Sequence, residues 1–166
     1  MIDTRSMLIG AGAAIAGRAL LPHVALLALQ RDVRRLNDGD YRPVLSHYAD
    51  DAVLRFHDGP HRWAGEHRGK PAIERFLQNF TKAGVRGGIK EIWISGPPWA
   101  ATLAARFDDR ATGPGGEELY SNRVAMVLRT RWGRIVEHDD FFADTARIAA
   151  FEEKLSALGV EPATAG

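Results

Sequence analysis

The 166-residue chain contains no cysteine, which excludes disulfide scaffolds, cysteine nucleophiles, thiolate zinc sites and iron–sulfur clusters. It has almost no net charge: 22 Lys and Arg against 21 Asp and Glu leave +1, so no sequence-wide field draws it to phosphate backbones or anionic lipid. Nucleic acid is therefore disfavoured as a partner. No glycine-rich phosphate loop leads from a strand into a helix, and no serine elbow of the GxSxG form occurs. Repeats, linkers and low-complexity blocks are missing too. What remains is 45% hydrophobic and 26% charged, the balance of one globular domain with a real core. Any chemistry falls to carboxylates, imidazoles and arginines.

The segment Met7 to Leu29 is long and apolar enough to suggest a membrane span, but Arg18 lies near its centre, and an arginine there costs ~2.5 to 3.5 kcal/mol on insertion scales. A secretory signal is the alternative, with Arg5 ahead of an apolar run and small residues Ala14 and Ala16 before a cut. The reading adopted is a helical extension over 1–25 on a cytoplasmic protein, followed by a domain over 26–158 and a frayed tail over 159–166.

Leu26, Leu29, Val33 and Leu36 recur at helical spacing and stop at Asn37-Asp38-Gly39. Tyr41 to Tyr48 reads as a short helix broken by Asp50-Asp51, Ala52 to His57 as a strand, and Pro60 to Gly69 as a polar loop. Pro71 to Ala83 is a third helix, with Ile73, Phe76, Leu77 and Phe80 on one side. Beyond Gly84 the period becomes strand-like over Ile89–Ser95, Trp99–Asp109, Glu118–Thr130 and Arg134–Phe142, with hairpin turns at Gly113–Gly116 and Trp132-Gly133. Asp144 to Leu158 closes the domain as a helix. Helices followed by a meander of long strands predict an α+β fold, a curved antiparallel sheet covered by three N-terminal helices. Such a cone leaves an apolar cavity with a few polar groups, the usual design of a small-molecule site.

Two constellations compete for that cavity. In AARFDDRA, period two puts Arg106 and Asp108 on one face of a strand, and Asp140 in EHDDFF belongs to another; if all three meet, an arginine is flanked by two acids whose proton affinities diverge. The alternative phase turns Phe107 and Leu103 inward and leaves the charges as exposed cross-strand pairs. His138 shares the Asp140 face, as a proton carrier or as a hydrogen-bonded core residue. Tyr120 and Asn122 either line a pocket or cap the nearby turn. Trp63, Trp93, Trp99 and Trp132 offer wall material for a lipophilic ligand, or core. His57, His61 and His67 are not a metal site, because Gly59-Pro60 prevents a helix from aligning them.

RDVRRLNDGDYRPVLSHYADDAVLRF (31–56), GKPAIERFLQNF (69–80) and RWGRIVEHDDFFADTARI (131–148) resemble the nuclear-transport-factor-2-like, SnoaL-like superfamily, over about Leu26 to Leu155. That resemblance implies a cystatin-like cone and a homodimer through the outer face of the sheet; activity has to be read from the cavity. The aspartate base of ketosteroid isomerases falls at Phe56, so steroid isomerisation is not expected. The pattern of limonene-epoxide hydrolases is matched by Arg106, Asp108 and Asp140 with Phe141 and Phe142 behind it. By that resemblance Asp140 is general base on a water, Asp108 general acid on the epoxide oxygen, and Arg106 bridges them, with no metal or organic cofactor. The tyrosine and asparagine that hold the water in that family fall at Leu54 and Phe56, leaving His138, Tyr120 or Asn122 as substitutes. Leu54, Phe56, Trp99 and Phe142 complete the expected substrate walls. The expectation is an enzyme acting on a lipophilic molecule by epoxide-hydrolase-type chemistry. The alternatives are a cyclase or isomerase using the same pocket, a non-catalytic binding or dimerisation module, and an exported or tethered accessory protein.

Overall fold

The computed structural model describes residues 27–164. The expected extension over 1–25 and the last two residues lie outside them. Helix α1 (27–37) turns Leu36 inward and is followed by α2 (Arg42–Ser46), strand β1 (Tyr48–Phe56), strand β2 (Gly65–Arg68) and helix α3 (Lys70–Lys82). Strands β3 (Arg86–Ser95), β4 (Thr102–Thr112), β5 (Glu118–Arg131) and β6 (Arg134–Phe142) then form the meander, and α4 (Ala146–Ala157) closes the chain.

The architecture is α+β, a curved six-stranded mixed sheet in the order β2-β1-β6-β5-β4-β3 with helices against it. Neighbours are antiparallel except β1 and β6, which run parallel with Leu54 opposite His138. That pair corrects the all-antiparallel expectation. A sheet this long closes a hollow only if it bends, and register shifts on β1, β3, β5 and β6 supply the bends. The β5–β6 turn is a two-residue hairpin with positive φ at both central residues, Trp132 at 50° and Gly133 at 76°, as a primed turn requires.

Two local expectations change. Asp50-Asp51 lie inside β1, because the strand begins at Tyr48, and the polar stretch before Gly69 contains β2, held by pairing with β1. Helix α3 buries Ile73, Phe76 and Leu77 as its period predicts. Helix α4 buries Ile148, Phe151 and Leu155; Phe151 stacks on Tyr120 at 4.7 Å and on Trp63 at 6.0 Å between ring centroids. Each fully buried side chain of this size contributes ~1.5 to 3 kcal/mol. Arg62, 1% exposed, fastens α4 through Glu152 at 2.8 Å. Among the described residues no helix is long and apolar enough to cross a membrane.

Candidate active site

The concave face of the sheet, with α1, α3 and α4 over it, encloses a cavity of about 140 Å³. One water centre needs roughly 10 to 15 Å³, so the space suits a small organic molecule. Its wall is apolar: Val33, Phe56, Phe76, Phe107, Val124 and Phe142 contribute, and Phe56 meets Phe142 at 4.7 Å. Against this wall stand a few polar groups, Tyr48, Asp109, Tyr120, His138 and Asp140, with Asp32 and His47 from the α1–α2 side.

Alternation along β4 turns Ala105, Phe107, Asp109 and Ala111 inward, and all four are buried. Arg106 and Asp108 therefore point outward. Arg106 pairs with Glu91 at 3.2 Å with its side chain 48% exposed, and Asp108 lies 3.9 Å from Lys90. The expected Arg106–Asp108–Asp140 triad is not assembled; only Asp140 reaches the cavity. The reason is the phase of one strand, set by the burial of Phe107. No arginine lines the cavity among the described residues.

The carboxyl that this strand turns toward the cavity is that of the next residue, Asp109. Burial pushes the Asp109 carboxyl up to about 7; the Tyr120 hydroxyl donated to its Oδ2 at 3.2 Å resists that rise, and the charge of Asp140 adds to it. Its other oxygen, Oδ1, is buried without a partner. On β6, alternation sends His138, Asp140 and Phe142 inward as expected. His138 Nδ1 lies 2.5 Å from the Tyr48 hydroxyl, and its Nε2 lies 2.8 Å from Asp140 Oδ1. Burial first, and the Asp140 charge second, raise the Tyr48 phenol, so it stays protonated and donates to Nδ1. Nε2 then carries the imidazole proton and donates to Asp140. The three residues form a chain that fixes one tautomer and orients the Asp140 carboxylate.

Of the other expected residues, Tyr120, Phe56 and Phe142 line the cavity. Leu54 is fully buried in the core and does not line it. Asn122 is turned aside, donating to the Asp144 carbonyl at 2.7 Å. Trp99 is 54% exposed beside Trp132 on the surface, so of the four tryptophans only Trp63 lines the cavity. His57 and His61 face each other at 3.1 Å between Nε2 atoms, while His67 turns to the Trp63 carbonyl. Burial, and then His57, push His61 down to about 4, so the pair is neutral. No group of three potential metal ligands occurs among the described residues.

Asp109, Tyr48, Asp32 and His47 line the cavity but were not singled out in the sequence. Asp109 was marked by its position two after Phe107 and two before Ala111; Tyr48 had no local signal, since its role depends on β1 starting earlier than its pattern suggests.

The family model for the SnoaL-like domain matches residues 29–138. No curated protein matches the sequence. Among solved structures, a nuclear-transport-factor-2-like protein of unknown function from Burkholderia pseudomallei aligns at 22% identity over 76% of this chain and 95% of its own, with a TM-score of 0.61. TerC, co-crystallized with polyporic acid, aligns at 19% over 80% and 98%, with a TM-score of 0.58. A Xanthomonas campestris protein, provisionally assigned as a polyketide cyclase, aligns at 18% over 78% and 98%, with a TM-score of 0.53. At these identities the likeness establishes the fold.

Proposed function

The chain belongs to the SnoaL-like domain family, and from that premise we propose that it is an enzyme of the cyclase or isomerase type, moving protons on a lipophilic small molecule held in the cone. The observation that carries this reading is the presence, in one apolar cavity, of two carboxyls in contrasting surroundings. Asp140 is oriented by His138; Asp109 is buried and lifted to about 7. Asp109 holds its proton well above the usual carboxylate range, so it serves as the donor, and Asp140, oriented by His138, as the acceptor.

In this scheme Asp140 Oδ2, which makes no hydrogen bond among the described residues, takes a proton from a carbon beside a carbonyl. Asp109 gives its proton to the carbonyl oxygen, so the product of the first step is a neutral enol. In the isomerisation Asp140 returns its proton to another carbon while the enol O–H goes back to Asp109; in a ring closure the enol carbon bonds to a second carbonyl carbon, whose oxygen takes the Asp140 proton as the enol O–H returns to Asp109. Neither route changes oxidation state, and both leave the two carboxyls as they began. The Xanthomonas neighbour's provisional cyclase assignment and TerC's crystallisation with polyporic acid agree with such a ligand class.

Epoxide hydrolysis is the second reading, favoured by the same pair: Asp109 in the role expected of Asp108 would protonate the ring oxygen and Asp140 would activate a water. It ranks lower because the arginine of that pattern lies outside the cavity.

The test is hydrogen–deuterium exchange at the α-carbon of 2-tetralone in D2O, followed by mass spectrometry, alongside conversion of styrene oxide to its diol. The proposal expects exchange above the buffer rate that is lost in Asp140→Asn. Diol formation without exchange would select the epoxide reading, and neither activity would leave a binding module.

A further inference from the structure

The cavity holds one polar pair that the proton transfer does not use. Asp32 on α1 and His47, the residue after α2, both line it, and His47 Nε2 lies 2.8 Å from Asp32 Oδ2. The His47 side chain is 41% exposed and that of Asp32 only 4%, so the ring stands between the cavity and solvent with the acid buried behind it. Backbone fixes the ring's place: the His47 carbonyl accepts the Ile135 amide at 2.9 Å. Asp140 lies further along the same strand, roughly 15 Å of extended backbone away. Asp32 Oδ1 also accepts from Arg31 Nε at 3.2 Å. Burial works to raise the Asp32 carboxyl, but the hydrogen bonds from His47 and Arg31 outweigh it and hold it below its ordinary value. A carboxylate only accepts, so Nε2 of the neutral ring carries the proton and Nδ1 keeps a lone pair. Among the described residues Nδ1 has no hydrogen-bond partner.

We propose that His47, held in one tautomer by Asp32, is a specificity-determining residue that accepts a hydrogen bond from a hydroxyl of the substrate, which is therefore a hydroxylated ketone, its hydroxyl at Nδ1 and its carbonyl at Asp109 and Asp140. The carbonyl end rests on the proton-transfer reading; the hydroxyl end adds a substrate class and an orientation. An acceptor beside an apolar wall selects a neutral donor, because a charged ammonium would lose its water there without an anion to replace it. A hydroxyl is such a donor. With that end fixed at the solvent side, the ketone points inward to the two carboxyls.

The experiment compares decan-1-ol with methyl nonyl ether, isomers with and without an O–H donor, by displacement of 1-aminoanthracene from the full-length protein. Wild type should bind the alcohol about fivefold more tightly, the return of one neutral hydrogen bond. In an Asp32→Leu, His47→Phe double variant, which removes the pair without stranding a buried charge, alcohol and ether should bind alike. His47→Lys is the second variant: it keeps a cation against Asp32 but has no acceptor, so the preference should be lost there too. A pair that merely ties α1 to α2 would leave the ratio unmoved. Equal binding of the two isomers by wild type, or a preference that survives in either variant, overturns the hydroxyl site and leaves the cavity reading intact. If neither ligand displaces the probe, the cavity reading fails, and the hydroxyl site with it.

Discussion

Tyr120 donates its hydroxyl to Asp109 Oδ2 across 3.2 Å, and it is the sole hydrogen-bond donor to that carboxyl from any side chain among the described residues. The bond opposes a rise driven mainly by burial, so Asp109 rests at about 7 where an ordinary aspartate rests at 3.8. A donor must hold its proton to act, so kcat/KM should fall as pH rises through about 7. Tyr120→Phe removes the opposing bond and should move that alkaline limb to higher pH, while Asp109→Asn should abolish it. A pH–rate profile of α-carbon exchange reads all three proteins.

The same shift has a consequence for stability. Between 3.8 and about 7 the folded protein keeps a proton that the unfolded chain releases, so stability falls as pH rises across that window and stays lower above it. The shift corresponds to a ceiling of ~4 kcal/mol. Asp109→Asn should therefore be more stable than wild type above neutrality and lose that advantage in acid, as measured by urea unfolding at several pH values. A variant equally or less stable at alkaline pH would show that Asp109 ionises in the native fold without cost.

Asp140→Asn should slow exchange by ~10² to 10⁴-fold while leaving the fold intact, since the amide replaces the carboxylate in shape but not in basicity. Tyr48→Phe acts one step further back. It strips the donor from His138 Nδ1, frees the ring to change tautomer, and leaves a buried nitrogen unpaired at a cost of ~1 to 3 kcal/mol. Its loss of rate should be smaller than that of Asp140→Asn and should appear in kcat with KM little changed, which steady-state kinetics separates.

Arg106→Gln and Asp108→Asn are the contrasting pair. Both side chains sit on the outer face in ion pairs that are about half exposed, so each change should cost less than ~1 kcal/mol and leave exchange unaltered. A large loss of activity in either would restore the triad that the phase of β4 rules out.

These residues also show where sequence reasoning stopped. Helix α3 was legible because Ile73, Phe76 and Leu77 repeat at the helical period and Pro71 fits its first turn. The meander was legible from its turns. On β4 the alternation was visible, but two phases were open, one placing Arg106 and Asp108 inside and the other Phe107 and Asp109; apolar burial of Ala105, Phe107 and Ala111 decides for the second. Strand β2 carries no alternation of its own, and the parallel β1–β6 pair joins residues more than eighty positions apart, so neither leaves a local trace. Tyr48 reaches His138 only through that pairing.

Gly87 ties the β4 phase to backbone geometry. It is the cross-strand partner of Asp109, its amide donates to Asn37 Oδ1 and its carbonyl accepts from Asn37 Nδ2, both at 2.9 Å. A β-carbon there would overlap the Phe107 ring and press on the Asp108 carbonyl. One of these neighbours is backbone, so the strain has no flexible side chain to absorb it fully. Gly87→Ala should push Phe107 into the cavity and cost ~1 to 3 kcal/mol. The expected result is a lowered thermal midpoint together with weaker binding of decan-1-ol. A lowered midpoint with unchanged binding would mean that the strand moves outward as a unit, and that the cavity wall tolerates a shift in β3.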